Sequence, residues 1–114
     1  MIAVIFEVTP REGRAADYFA IAAALKAEVE QVDGFISVER FESVTQPGKF
    51  VSLSFWRDEE SLTRWRAHAR HQNAQKAGRG EVFADYRLRV ASVVRDYGMD
   101  QRAEAPADAI ALHG

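Results

Sequence analysis

The sequence predicts a single α+β domain with the order β-α-β-β-α-β. Three observations carry this expectation. Short runs rich in β-branched and aromatic residues recur four times. Two stretches with apolar residues at helical spacing separate them, and a Pro-Gly turn joins two alternating runs in mid-chain.

Each element has its own justification. Ile2 to Thr9 is apolar on nearly both faces until Glu7, and it is too short for a helix that must stop at Pro10, so it reads as a strand. Thr9-Pro10-Arg11-Glu12-Gly13 is a turn. From Arg14 to Val32 the apolar residues Tyr18, Ile21, Ala22, Leu25, Val29 and Val32 recur at helical spacing, with Glu28 and Glu30 on the wet side and Asp33-Gly34 as the stop. Phe35 to Ser43 alternates, with Phe35, Ser37, Glu39 and Phe41 on one face and Ile36, Val38 and Arg40 on the other. After the turn at Gln46-Pro47-Gly48, Lys49 to Arg57 sets Val51, Leu53 and Phe55 against Phe50, Ser52, Ser54 and Trp56, which makes a hairpin. Asp58 stands where it can cap a second helix, whose stripe is Leu62, Trp65 and Ala69 and which runs to about Ala77 before Gly78 and Gly80 break it. Glu81 to Tyr86 reads as a turn or short helical piece, and Arg87 to Asp96 as the last strand, with Leu88, Val90, Ser92 and Val94 on one side. This is the split βαβ unit, a ferredoxin-like fold with a four-stranded antiparallel sheet.

A chain of 114 residues fits one domain, assigned here to residues 1–98, with residues 99–114 as a tail that turns Ala-rich and polar around Pro106. Within the tail, Ile110 and Leu112 lie two apart, as on one face of a strand, and are expected to dock on the domain or on a partner. The formal net charge of -2 argues against a nucleic-acid partner. No apolar run approaches the roughly 20 residues of a membrane span. The opening Met1-Ile2-Ala3-Val4-Ile5-Phe6 lacks a basic flank and reads as a strand, so a cytoplasmic location is the default expectation. Without cysteine there is no disulfide, thiolate nucleophile or Cys-based zinc site.

Two helices cover one face of a four-stranded sheet. Neither face here is cleanly polar, because Val51, Leu53 and Phe55 oppose Phe50 and Trp56, and the first strand is apolar on both sides. An exposed apolar sheet is relieved by pairing with a second copy, so a homodimer through the β-sheet is expected, weakened by charge at Phe50 or Trp56.

The run Phe50-Val51-Ser52-Leu53-Ser54-Phe55-Trp56-Arg57-Asp58-Glu59-Glu60, Trp65 followed six residues later by His71, and the exit Phe83-Ala84-Asp85-Tyr86-Arg87-Leu88-Arg89-Val90 resemble the antibiotic biosynthesis monooxygenase domain, across residues 1 to about 97. The resemblance implies a dimeric α+β barrel. It also implies one of several activities: cofactor-free oxygenation of phenols or quinols, haem degradation, or binding without turnover. Haem-degrading members carry an Asn on the first strand, a Trp on the second helix and a His ten residues beyond it. Here Trp65 matches, but the other two positions are Val4 and Gln75, so haem binding requires His68 or His71 to substitute.

The leading expectation is therefore a cofactor-free and metal-free monooxygenase that takes a small aromatic phenol or quinol and O2. Such chemistry needs a dry pocket with an aromatic wall and a base that titrates near neutral pH. Trp65, Phe55 and Tyr18 are the candidate walls, Asp85 and Tyr86 candidate polar contacts, and His68 or His71 the candidate catalytic base. A small-molecule-binding or structural dimer without turnover is the competing reading.

Overall fold

The computed structural model describes residues 1–74 and 82–108, with the side chains of residues 70–74 outside that description. The elements are β1 (Ile2–Pro10), α1 (Ala15–Val29), β2 (Phe35–Glu42), β3 (Phe50–Trp56), α2 (Glu59–Ala74) and β4 (Phe83–Ser92), in the expected order. The strands form one antiparallel sheet in the order β2-β3-β1-β4, so the apolar first strand lies inside the sheet, paired on both edges.

Alternation decides which residues meet the helices. Val4 stands opposite Ser54 and Val90, Phe6 opposite Ser52 and Leu88, and Val8 opposite Phe50 and Tyr86. These face the helices, where two clusters form. One joins Val4, Val29, Trp56 and Leu62; the other joins Val8, Tyr18 and Val82. Ile5 opposite Leu53 and Ala3 opposite Phe55 belong to the other face of the sheet.

This geometry corrects four expectations. Phe50 and Trp56 do not belong to the outer face: Trp56 is 1% exposed beneath the helices, so charge there would break the core and not an interface. Phe35 leaves the face it was assigned with Ser37, because the β2–β3 register shifts between these two residues. The extra residue turns Phe35 onto Trp56, with ring centroids 5.3 Å apart. The segment Phe83 to Tyr86 is strand, not turn, because β1 extends through Pro10 and offers it partners at Pro10, Thr9 and Val8. The same strand ends at Ser92 and not Asp96, since Val93 N–H already bonds the carbonyl of Met1 and β1 has nothing further to pair.

The two helices start differently. Asp58 caps α2 as expected, its Oδ1 accepting from Ser61 N–H at 2.8 Å and from Ser61 Oγ at 2.7 Å. Arg14 precedes α1 with no side-chain cap, leaving Asp17 to complement the helix dipole while it pairs with Arg14. After β4 the chain closes a local turn, in which Gly98 N–H bonds the Gln101 carbonyl and Arg102 lies over the Tyr97 ring. Ile110 and Leu112, expected to dock, lie outside the described residues. No helix among the described residues is long and apolar enough to cross a membrane.

Candidate active site

A cavity of about 330 Å³ lies between the helices and the sheet. Its size is at the lower end of the ~300–1,000 Å³ typical of small-molecule sites. Helix α1 contributes Tyr18, Ile21 and Leu25 to the roof, and α2 contributes Leu62, Trp65 and Ala69. The floor is Val4 and Phe6 with Ser52, Ser54 and Trp56. Sequence order explains the polar floor: β3 alternates serine with large residues, so Ser52 and Ser54 point where the helices stand off. Ser54 is occupied, accepting from Trp56 Nε1 at 2.9 Å. The open side is the edge strand β4, where Tyr86, Leu88 and Val90 line the cavity yet remain exposed, Leu88 by 50%.

Among the described residues, Tyr18 stands out as a buried side chain whose polar atom is unmet. It is 5% exposed and packs on Phe83 and Phe50, with ring centroids 5.9 Å and 6.2 Å away. Its hydroxyl is buried without a hydrogen-bond partner. Buried hydroxyls are satisfied in the great majority of cases, so an orphan beside a cavity marks a place where a ligand oxygen can bind.

The lining also carries three cations, Lys26 from α1, Arg40 from β2 and Arg66 from α2, and among the described residues no carboxylate. Arg64, Arg66 and Arg70 follow one another closely along the second helix in the sequence. The structure separates two of them: Arg64 donates to the Asp33 carbonyl at 2.9 Å, while Arg66 reaches the cavity. Arg40 was legible by parity, since it shares a face with Val38. Nothing in the sequence singled out Lys26.

Of the anticipated site residues, Trp65, Tyr18 and Tyr86 come together around the cavity. Phe55 does not: it sits opposite Ala3 on the outer face, because its strand position has the wrong parity. Asp85 is likewise turned away, opposite Thr9 and one residue out of phase with Tyr86. His68 stands one ring outside the cavity. Its imidazole lies 5.6 Å from the Trp65 ring and its Nε2 3.4 Å from Glu28 Oε2, with the side chain 44% exposed. The side chain of His71 is outside the described residues.

The described lining offers haem few of its usual ligands. The β1 position is Val4, in the wall itself, and the described lining holds no imidazole, thiolate or thioether. No group of three His, Cys, Asp or Glu able to hold a metal occurs among the described residues.

Comparison with known proteins agrees with this architecture. A jasmonate monooxygenase ABM of Pyricularia oryzae is 50% identical over 93 residues, which cover 82% of this chain and 43% of that protein. The uncharacterized protein YqjZ of Bacillus subtilis is 34% identical over 62 residues, covering 54% of this chain and 53% of that one. The chain thus spans about half the length of the curated relatives it matches. Among solved structures, Rv0793 from Mycobacterium tuberculosis superposes with a TM-score of 0.72 at 23% identity, over 85% of this chain and 98% of the other. The haem degrader MhuD from Mycobacterium tuberculosis, with two hemes bound in its active site, superposes with a TM-score of 0.69 at 19% identity, over 86% of this chain and 100% of the other. At those identities the likeness concerns the fold alone. The antibiotic biosynthesis monooxygenase family model matches residues 1–77, and the chain belongs to that family.

Proposed function

We propose that the chain is a monooxygenase domain that takes one small ring compound per protomer into the helix–sheet cavity. The observation that carries this reading is the cavity itself, apolar, aromatic-walled and holding one unsatisfied hydroxyl at Tyr18. For a phenol the reaction balances without an added reductant: a phenol and O2 give a quinone and water, the substrate supplying all four electrons. The aromatic walls of Trp65 and Tyr86 orient the ring, and Tyr18 O–H donates to its oxygen as charge develops there. The proton leaves to His68 through an intervening water, Glu28 holding the imidazole in place. The half-identical relative named for jasmonate supports a second substrate class, an alicyclic keto acid, whose hydroxylation consumes two electrons from an external donor.

The same reading pairs two copies through the outer sheet face. There Ile5, Val51, Leu53 and Phe55 are half-buried, and Phe41 of the edge strand is exposed. Leu53→Asp, not Trp56→Asp, is then the substitution that lowers the sedimenting mass while leaving the fold intact.

The test is oxygen uptake by the purified chain against phenols, quinols and jasmonic acid, with labelled O2 followed into product by mass spectrometry. Label in the product supports the reading, and His68→Ala lowers that rate by about 10²–10⁴ if His68 is the proton acceptor. Ligands that bind without oxygen uptake or labelled product identify a binding dimer instead.

A further inference from the structure

We propose that the molecule held in this cavity is a small organic anion, an apolar carboxylic acid whose charge is met by Lys26, Arg40 and Arg66. The inference rests on the cavity being the substrate site and adds the chemical class of its occupant.

Three elements that are distant in sequence each bring one cation to a single cavity, and the described lining contains no acid to offset them. Bulk composition does not account for this, because the chain as a whole carries a formal charge of -2. Elsewhere, among the described residues, five cations meet carboxylates. Arg14 meets Asp17, Lys49 and Arg89 meet Glu7, Arg57 meets Asp33 and Asp58, and Arg64 meets Glu60. Lys26, Arg40 and Arg66 enter none of these pairs. A surface that merely keeps a protein soluble mixes both signs; here one sign is gathered around an apolar space. Lys26, Arg40 and Arg66 are exposed residues that also line the cavity, the arrangement of a stem along the wall with its charge toward the rim. An acid placed with its ring inside and its carboxylate outward gains charge-assisted hydrogen bonds at the rim, and a guanidinium is suited to take both oxygens. A phenol, neutral at pH 7 with a pKa near ~10, gains little from them.

The experiment compares each acid with its own methyl ester, which keeps the body and removes the charge. Tryptophan fluorescence of the full chain is titrated with jasmonic acid and methyl jasmonate, and with 4-phenylbutyric acid and its methyl ester, in low and in moderate salt. The acids are expected to bind about tenfold more tightly than the esters, the weight of one charge-assisted hydrogen bond, with the gap narrowing as salt is added. Lys26→Gln, Arg40→Gln and Arg66→Gln should each weaken acid binding severalfold and leave ester binding unchanged. Arg95→Gln, outside the lining, should change neither. Esters that bind as tightly as acids, or rim variants that weaken both equally, overturn the anion assignment and leave the cavity reading standing. Failure of all four compounds to bind, while the protein remains folded by circular dichroism, overturns the cavity reading and this inference with it.

Discussion

The two ends of the helix–sheet layer are built on different principles. At one end Trp56, 1% exposed, is enclosed by Val4, Val29 and Leu62, and a polar lattice ties the α1–β2 turn to the start of α2. Arg57 grips Asp33 through two bonds of 3.1 Å and reaches Asp58 at 3.2 Å, while its N–H bonds the Gly34 carbonyl at 2.7 Å. Arg64 bonds the Asp33 carbonyl from the next turn of α2. At the other end Tyr18 keeps an unmet hydroxyl, and Tyr86, Leu88 and Val90 on the edge strand face the cavity half-exposed. The closed end spends its polar groups on one another, whereas the open end leaves them, and its apolar surface, for something else. The cavity runs between them, lined by Val4, Trp56 and Leu62 from the closed end and by Tyr18 and Leu88 from the open one.

The largest effect that sharpens this contrast is a pair of truncations. Trp56→Ala should cost about 3–5 kcal/mol, as expected for a buried large aromatic, and lower the melting temperature steeply. Leu88→Ala, removing a side chain already half in water, should cost less than about 1 kcal/mol yet weaken ligand binding. Equal losses of stability in the two melts would abolish the distinction.

Next in size is Gly34→Ala. The backbone there has φ of +97°, and an added Cβ would lie 1.8 Å from Ser61 Oγ and 2.6 Å from Ser61 Cβ. Strain and overlap together should cost more than about 2 kcal/mol. Adding Ser61→Gly should recover part of that loss, since it removes the overlapping atoms and leaves the dihedral strain and the lost hydrogen bond from Ser61 Oγ to Asp58. A double variant no better than the sum of the singles would place the cost elsewhere.

A smaller, opposite effect belongs to the open end. Tyr18→Phe removes a buried hydroxyl that has no partner, so it should leave stability unchanged or raise it by up to about 1 kcal/mol. Ligand affinity or turnover should fall. A variant that loses stability would show that the hydroxyl has a structural partner after all.

The mildest probe is pH. Asp58 is held at about 2, below its ordinary 3.8, first by the Ser61 hydroxyl, then by the Ser61 N–H and by Arg57. Asp33 is lowered chiefly by its bonds to Arg57, and Glu7 by Lys49 and Arg89. A carboxylate with a lowered folded pKa contributes stability that is complete above the unfolded value. That stability is lost as pH falls through the folded one. The melting temperature should therefore hold above about pH 4.5 and decline toward pH 2. Asp58→Asn should flatten the lower part of that decline, which a pH series of thermal melts reads directly.

Much of this molecule was legible in the residues. Pro10, Gly34 and Pro47-Gly48 punctuate the chain where elements end, and the alternation of Phe50 to Trp56 sorted that strand's faces correctly, because side-chain direction in a regular strand depends only on position. Trp65 and Tyr18 were visible as candidate walls because large aromatics on a helix stripe must turn inward. The misplacements share one cause. Phe35 changed face through a register shift, Phe83 to Tyr86 became strand because β1 extended to receive them, and Phe55 and Asp85 were assigned to the site without knowing which face of the sheet the helices cover.

Local chemistry thus determined the element order, the Asp58 cap and the membership of the apolar stripes, since propensity, capping and periodicity act over a few residues. The tertiary structure decided the rest. It placed β1 between β3 and β4, left β4 at an edge where Leu88 faces an open space, and brought Lys26, Arg40 and Arg66 from three elements to one lining. A cavity is a property of how layers stand apart. It is set by side chains that meet across large separations in sequence, and no window along the chain contains them.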